Sequence, residues 1–560
     1  MATLVRSRRS ALLALLVLAL ALSIPAGAGA APASAPRAAG GEINVGIWQE
    51  PDFLTWIVGN SCFNCVSIMQ ALWEPPLRVA PDGSLIPILL TDVPSTGNGG
   101  ISADGKTITI NLKPGLKWSD GQPLTVHDFV FTWKLVMDPN TGAILTQGWD
   151  QIDSVDTPSD TQAVIHLKAP FAPFLSLVLA GHYGTWMPEH ALQGQDFKAW
   201  SREPKVTSGP FMLSEWVSGD HVTVVKNPNY MQPAQLDQIT FKLVTDRSAM
   251  LAQLKSGDLD AGLQLNEPDI VVMKEVPGVT VYPVPGSNIE MWHLNERMPG
   301  DLTKPHPILT DLKVRQAIYY ALDRQALVQS VLAGIPAVAV NWLDGTAFFN
   351  QNLKPWPHDL DKANQLLDQA GWVKGVDGIR AKNGMRLHLT YSTTSGNQVR
   401  EQIQVVLQQQ LQQAGIELEI KNYRPAQLFA SFSENGIVTT GNYDIAEYAD
   451  SIIGPDPDIS RFYLTSQITS PSNQGGQNWI GVSNPDLDKA LTCELQSFDV
   501  SVRKQCLDQA QQIIYDNVYD IFLYDKTDIL IASAKLKGIQ HQADPVAMWL
   551  GNVEEWHLEE

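Results

Sequence analysis

Residues 101–139 constrain the fold of this chain more than any other stretch. Asp104-Gly105 is a tight-turn signal, because glycine adopts the positive φ that such turns require. From Thr107 to Leu112 polar and apolar residues alternate, which puts Ile108, Ile110 and Leu112 on one face of a half-buried strand. A second turn follows at Ser119-Asp120-Gly121. Thr125 with Asp128 forms a variant capping box, with Asp where Glu or Gln is usual. Val126, Phe129, Val130, Trp133 and Met137 then fall at helical spacing, and Asp138-Pro139 closes the helix.

The rest of the chain alternates in the same legible way. Ile43, Val45 and Ile47 predict a strand, residues 61–72 a helix stopped by Pro75-Pro76, and residues 163–167 a strand followed by a helix begun at residues 170–173. Residues 248–256 predict a helix closed by Gly257. Asp311, Asp323 and Asp359 cap further helices, and residues 399–414 form a long amphipathic one ended by Gly415. The repeated helix–Gly–strand order predicts an α/β protein with a mostly parallel sheet. Residues 521–524 return late as a strand.

Composition excludes some functions. The net charge of −20 is the wrong sign for a nucleic-acid partner. Arg6, Arg8 and Arg9 precede an apolar run and the small residues 26–30, the pattern of a cleaved export signal at residues 1–30. Ser7-Arg8-Arg9 also matches part of a twin-arginine signal. Loss of the three arginines takes the charge from −20 to −23. An exported chain with four cysteines favours disulfides, and the local pairs Cys62–Cys65 and Cys493–Cys506 are preferred among three connectivities. Cys62-x-x-Cys65 also leaves open a redox or half-zinc role. No protease, hydrolase or nucleotide-loop motif is present, and the eleven histidines lack ligand spacing, so neither a catalytic residue, a metal nor a cofactor is expected.

The run LKPGLKWSDGQPLT followed by Asp128-Phe129 and Phe131-Thr132-Trp133 resembles the signature of the family 5 extracellular solute-binding proteins of ABC importers. Residues 74–89, 207–216, 254–261 and 311–324 are similar to further family elements. The resemblance implies a two-lobed periplasmic-binding-protein clamshell, type II, cluster C, with an extra subdomain. Lobe I would comprise residues 41–65, 205–288 and 520–560, the subdomain residues 66–204, and lobe II residues 289–519. It also implies a monomeric receptor outside the cytoplasmic membrane that captures peptides and hands them to a permease. Oligosaccharides, metal chelates or a sensory role are the alternatives within that fold. No cysteine stands at the leader boundary, so the lipoprotein anchor common in the family is missing.

The same resemblance selects the candidate site. In peptide-binding relatives an Asp after the strand at residues 443–450 holds the peptide amine, and Asp450 stands in that place; a carboxylate at a strand end can do so by a charge-assisted hydrogen bond. Tyr448 lies on that strand. Asn478 and Trp479 belong to a loop that lines the cleft in relatives, suited to hydrogen bonding and stacking. Trp292 and Asn295 close a strand with a family asparagine. Tyr391 opens the loop where dipeptide receptors carry an Arg for the ligand carboxylate; residues 391–397 have none, and Arg400 comes only in the following helix. That departure favours oligopeptides over dipeptides.

Overall fold

The computed structural model describes residues 41–58, 63–452, 456–542 and 549–559. The leader at residues 1–30 and the Cys62–Cys65 pair with its CxxC alternatives lie outside the described residues, the side chain of Cys65 included. Ten strands form one sheet, in the order Glu417–Tyr423, His388–Thr394, Ile445–Asp450, Val279–Leu294, Asp520–Ser533, Ala261–Leu263, Glu42–Ile47, Gln238–Leu243, His221–Lys226, Phe211–Val217. Glu42–Ile47 is parallel to both its neighbours, and His388–Thr394 to both of its own. The central pairings and those at the Phe211–Val217 edge are antiparallel. The sheet is therefore mixed, a correction to the mostly parallel one expected, because the two long strands and the hairpins at one edge make five of its nine pairs antiparallel.

Two long strands carry the sheet through the whole molecule. Val279–Leu294 and Asp520–Ser533 run antiparallel along almost their full lengths, with a register shift between Pro285 and Ile289. On one side of that shift residues 279–285 pair with 527–533; on the other, residues 289–293 pair with 520–525. Separate cores lie on the two sides. One is built around Ile43, Trp56, Trp118, Trp149 and Phe241, the other around Trp292, Leu309, Leu367, Leu389 and Ile521. Alternating burial on each strand and apolar stripes on the flanking helices drive both collapses.

Residues 101–139 fold as their pattern predicts. Thr107–Asn111 pairs with Gln162–Leu167, which pairs with Ile152–Ser159, and Gly105 sits at φ 68° in the turn. Helix Val126–Met137 begins with the complete capping box: Thr125 accepts from the first turn, and Asp128 accepts the Thr125 N–H at 2.9 Å. Asp128 also takes the Glu189 N–H at 3.0 Å and the Trp118 indole at 3.2 Å, so one buried carboxylate ties three segments together. The core of this region is continuous with that of the strands around Glu42–Ile47. Residues 170–173 introduce only the five-residue turn Leu175–Leu179 in place of a full helix, since Pro173 prevents an earlier start and Gly181 lies just beyond its end.

Helices Pro485–Gln496 and Val500–Asn517 form a hairpin joined by the Cys493–Cys506 disulfide, with Cα atoms 5.9 Å apart. No helix among the described residues is long and apolar enough to cross a membrane.

Candidate functional site

Ligands of open α/β sheets bind beyond the carboxyl ends of the parallel strands. Here such ends face the register shift from both sides. Ile445–Asp450 ends at Asp450, in line with Ile289 on the neighbouring long strand, and Ile289 is in turn paired with Asp525. Residues paired across strands share a face. Asp450, Tyr448 and Ala446 therefore project with Ile289, Met291 and His293, and with Asp525, Phe522 and Asp520.

The candidates divide between the two faces. Tyr448 is buried on the Asp450 face, its ring stacked at 4.5 Å on His293 and 6.0 Å from Trp479. Trp479 is half-buried, and its indole N–H is taken by Gly476 O at 3.2 Å. Trp292 and Tyr391 lie on the opposite face, fully buried, their rings 4.6 Å apart edge to face. Tyr391 donates to Glu447. Asn295 is fully buried and donates to Gly441 O at 3.0 Å and Tyr443 O at 2.7 Å. Asn478 is fully buried too; it donates to Leu464 O and Val482 O and accepts from the Gly481 and Val482 N–H groups. The structure thus brings together Asp450, Tyr448 and Trp479. Trp292, Tyr391, Asn295 and Asn478 stand within packed interior.

Asp450 is about a quarter exposed, at 27% of its side chain, and is paired with Arg461 at 3.1 Å. Its Oδ1 also accepts the Ser451 N–H at 2.8 Å. Arg461 also donates to Ser451 O and Gln477, and its guanidinium lies 4.2 Å from the Phe462 ring. A neutralised, partly solvated carboxylate of this kind can exchange one cation for another at modest cost.

Asp525 was not foreseen from the sequence, whose late return strand was expected to end one residue before it, at Tyr524; the strand runs on to Ser533. Burial pushes its carboxyl up to about 8, with the nearby Asp344 charge adding to the effect. Asp344 is raised to about 6, chiefly by burial, against the Val340 and Asn341 N–H groups and Arg324.

On the opposite face Arg400 is fully engaged. It makes a two-pronged contact with buried Glu290, at 2.7 and 3.1 Å, and donates to Thr394 at 2.8 Å. Glu447, wholly buried beside Glu290, is pushed well above the usual carboxylate range by burial first and the Glu290 charge second. Across the register shift, Arg247 lies 5.6 Å over the Trp48 ring and 3.7 Å from Asp269. A cavity of about 20 Å³ lies apart from all of these, between Trp56, Trp73, Arg78 and His182; it has room for about one water. Among the described residues no three His, Cys, Asp or Glu side chains are grouped to hold a metal ion.

The family model of the bacterial extracellular solute-binding proteins, family 5 (Middle), matches residues 85–470. The chain belongs to that family. This family 5 protein is 27% identical over 506 residues to Protein XP55 of Streptomyces lividans, covering 89% of this chain and 86% of that one. It is 27% identical over 485 residues to the oligopeptide-binding protein AppA of Bacillus subtilis (strain 168), covering 82% and 81%. The structure of AppA from Bacillus subtilis with a nonapeptide superposes on it with a TM-score of 0.80, at 23% identity over 93% of this chain and 99% of that one. NikZ of Campylobacter jejuni with Ni(L-His) also gives 0.80, at 22% identity over 92% and 99%. The solute-binding protein accordingly has the two-domain architecture of the periplasmic binding proteins, with the extended sheet and paired cores described above.

Proposed function

We propose that this protein is the solute receptor of an ABC importer and that it captures peptides, longer ones in preference to dipeptides. Its two lobes would be residues 41–65, 205–288 and 527–560, with the subdomain at residues 66–204, and residues 289–525; the boundary expected at residue 520 moves because Ile521 joins the core around Trp292. They close about the register shift between Pro285 and Ile289. Closure follows from differential affinity, because contacts from both lobes to one ligand exist only when the lobes are together.

The observation that carries this reading is the Asp450 carboxylate at a strand end in line with the register shift. Asp450 takes the ligand ammonium in place of Arg461, and the rings of Tyr448 and Trp479 form the adjoining wall. Arg400 is spent on Glu290, so no free guanidinium follows the 391–397 loop to fix a dipeptide carboxylate. The relatives named as oligopeptide-binding and the neighbour solved with a nonapeptide support the same class of ligand. In this reading the receptor is an exported monomer that docks on a membrane permease and is not an enzyme.

Native mass spectrometry of the purified protein tests the proposal. Peptides of several residues released from the protein are expected. Release of only oligosaccharide or metal chelate would overturn it.

A further inference from the structure

The two halves meet a second time, away from the long strands. The turn of the disulfide-joined hairpin reaches the region of residues 101–202. Leu495 O accepts the Ala172 N–H at 2.7 Å. Leu495 and Phe498 pack against the core of the first half. The Phe498 ring lies so close to Gly105 that a Cβ there would stand 2.6 Å from it. Beside this contact Gln147 Nε2 donates to Asp458 Oδ2 at 2.8 Å and to Ser460 Oγ at 3.3 Å.

Behind Asp458 three buried carboxylates surround one cation. Arg503 holds Asp456 with two bonds, at 2.8 and 2.7 Å, and Glu494 Oε2 with two, at 2.7 and 3.3 Å. Its guanidinium carbon is 5.9 Å from the Phe348 ring, which brings no charge. Glu494 faces Asp458, Asp456 and Arg503, and is fully buried. Asp458 faces Asp456, Ser460, Gln147 and Glu494, the last within hydrogen-bond reach. Three negative charges against one positive charge in a dry site carry a large desolvation cost. Asp456 is matched by Arg503, so the proton that relieves the site belongs to the Glu494–Asp458 pair. Burial, followed by the neighbouring charges, raises both carboxyls, Glu494 the more strongly.

We propose that Asp456, Asp458, Glu494 and Arg503 form a proton-operated latch on closure of the two halves. With the proton in place, Glu494 donates to Asp458, and Asp458 remains free to hold Gln147 across the interface. When the proton leaves to solvent, two like charges face each other, Asp458 is displaced, and the Gln147 contact is lost. Closing therefore takes up a proton, and acid favours the closed form. The disulfide between Cys493 and Cys506 keeps Glu494 and Arg503, which flank it on the two helices, in place while the turn engages.

Amide hydrogen exchange of the full mature protein tests the latch and does not depend on which ligand is bound. The readout is protection of the segment containing Ala172, whose N–H crosses the interface, after correction for the intrinsic effect of pH. Wild-type protection is expected to fall at least about tenfold between pH 5 and pH 9. E494Q, which keeps a neutral donor, is expected to change by no more than about twofold. D458N, neutral at the other end of the pair, provides the same test if E494Q does not fold. Q147A is expected to lose protection at every pH. Wild-type protection that is flat from pH 5 to pH 9 would overturn the proposal, as would E494Q or D458N falling in parallel with wild type.

Discussion

Asp450 and Asp525 project from the same face of the sheet, one on each side of Ile289, to which both are paired. Two strand spacings separate them by about 10 Å. They differ in what meets them. Asp450 has Arg461 at 3.1 Å, whereas Asp525 faces the Asp344 charge and is pushed up to about 8.

That difference predicts a pH effect on stability. A carboxyl that titrates near 4 when unfolded and near 8 when folded binds its proton more tightly in the folded state. Stability is therefore lost as pH rises between those values, by up to about 1.4 kcal/mol per pH unit. In urea denaturation from pH 5 to pH 8, Asp525→Asn is expected to lose less stability than wild type. Parallel curves for the two proteins would show that Asp525 is not the group responsible.

Replacing Asp450 by Asn is expected to weaken a peptide with a free amino terminus by about tenfold or more, the scale of one charged hydrogen bond. Calorimetry with a peptide identified from the purified protein is the measurement. The same peptide acetylated at its amino terminus should bind wild type and variant alike. Equal affinity of both proteins for the free-amine peptide would remove Asp450 from the ligand contacts.

Asn478→Ala should act on the fold instead. The side chain satisfies four backbone groups of the 464–482 loop, where it is fully buried. Leaving them unpaired is expected to cost about 3 kcal/mol, seen as an earlier chemical-denaturation midpoint with the order of peptide preference unchanged. A changed preference at unchanged stability would reverse that assignment.

The Cys493–Cys506 link closes a segment with a sequence separation of 13 residues. Its removal in the C493S/C506S double variant is expected to cost about 3 kcal/mol, chiefly through the freedom restored to the unfolded chain. Comparing wild type with and without reductant in the same assay checks that the bond itself is responsible.

Local structure was legible where one segment supplies its own reasons. Thr125 and Asp128 close their capping box without help from elsewhere, and Gly257 ends its helix at φ 79°. The strand read from Ile521 to Tyr524 is in fact Asp520–Ser533. Its continuation includes Asp525, Lys526 and Asp528, charges that suppress an apolar signal in a part of the strand that Val279–Leu294 alone pairs with. The site was less legible for a similar reason. Alternation along a strand assigns relative faces but not which face a distant segment will cover, so Trp292 and Tyr391 read as equals of Tyr448 although the sheet sets them on its other side. The partners of Asp450 and Arg400 are fixed by packing, at separations of 11 and 110 residues, beyond any periodicity.

Strand Asp520–Ser533 pairs with Ala261–Leu263 on one side and with most of Val279–Leu294 on the other. Neither half can therefore complete its sheet until this nearly last segment arrives. A chain made from its amino end holds some five hundred residues without the strand that joins them. During that interval the facing edges of Ala261–Leu263 and Val279–Leu294 are open to any other strand. The timing of synthesis, as much as the energetics of the finished fold, selects for a chain that waits without misfolding.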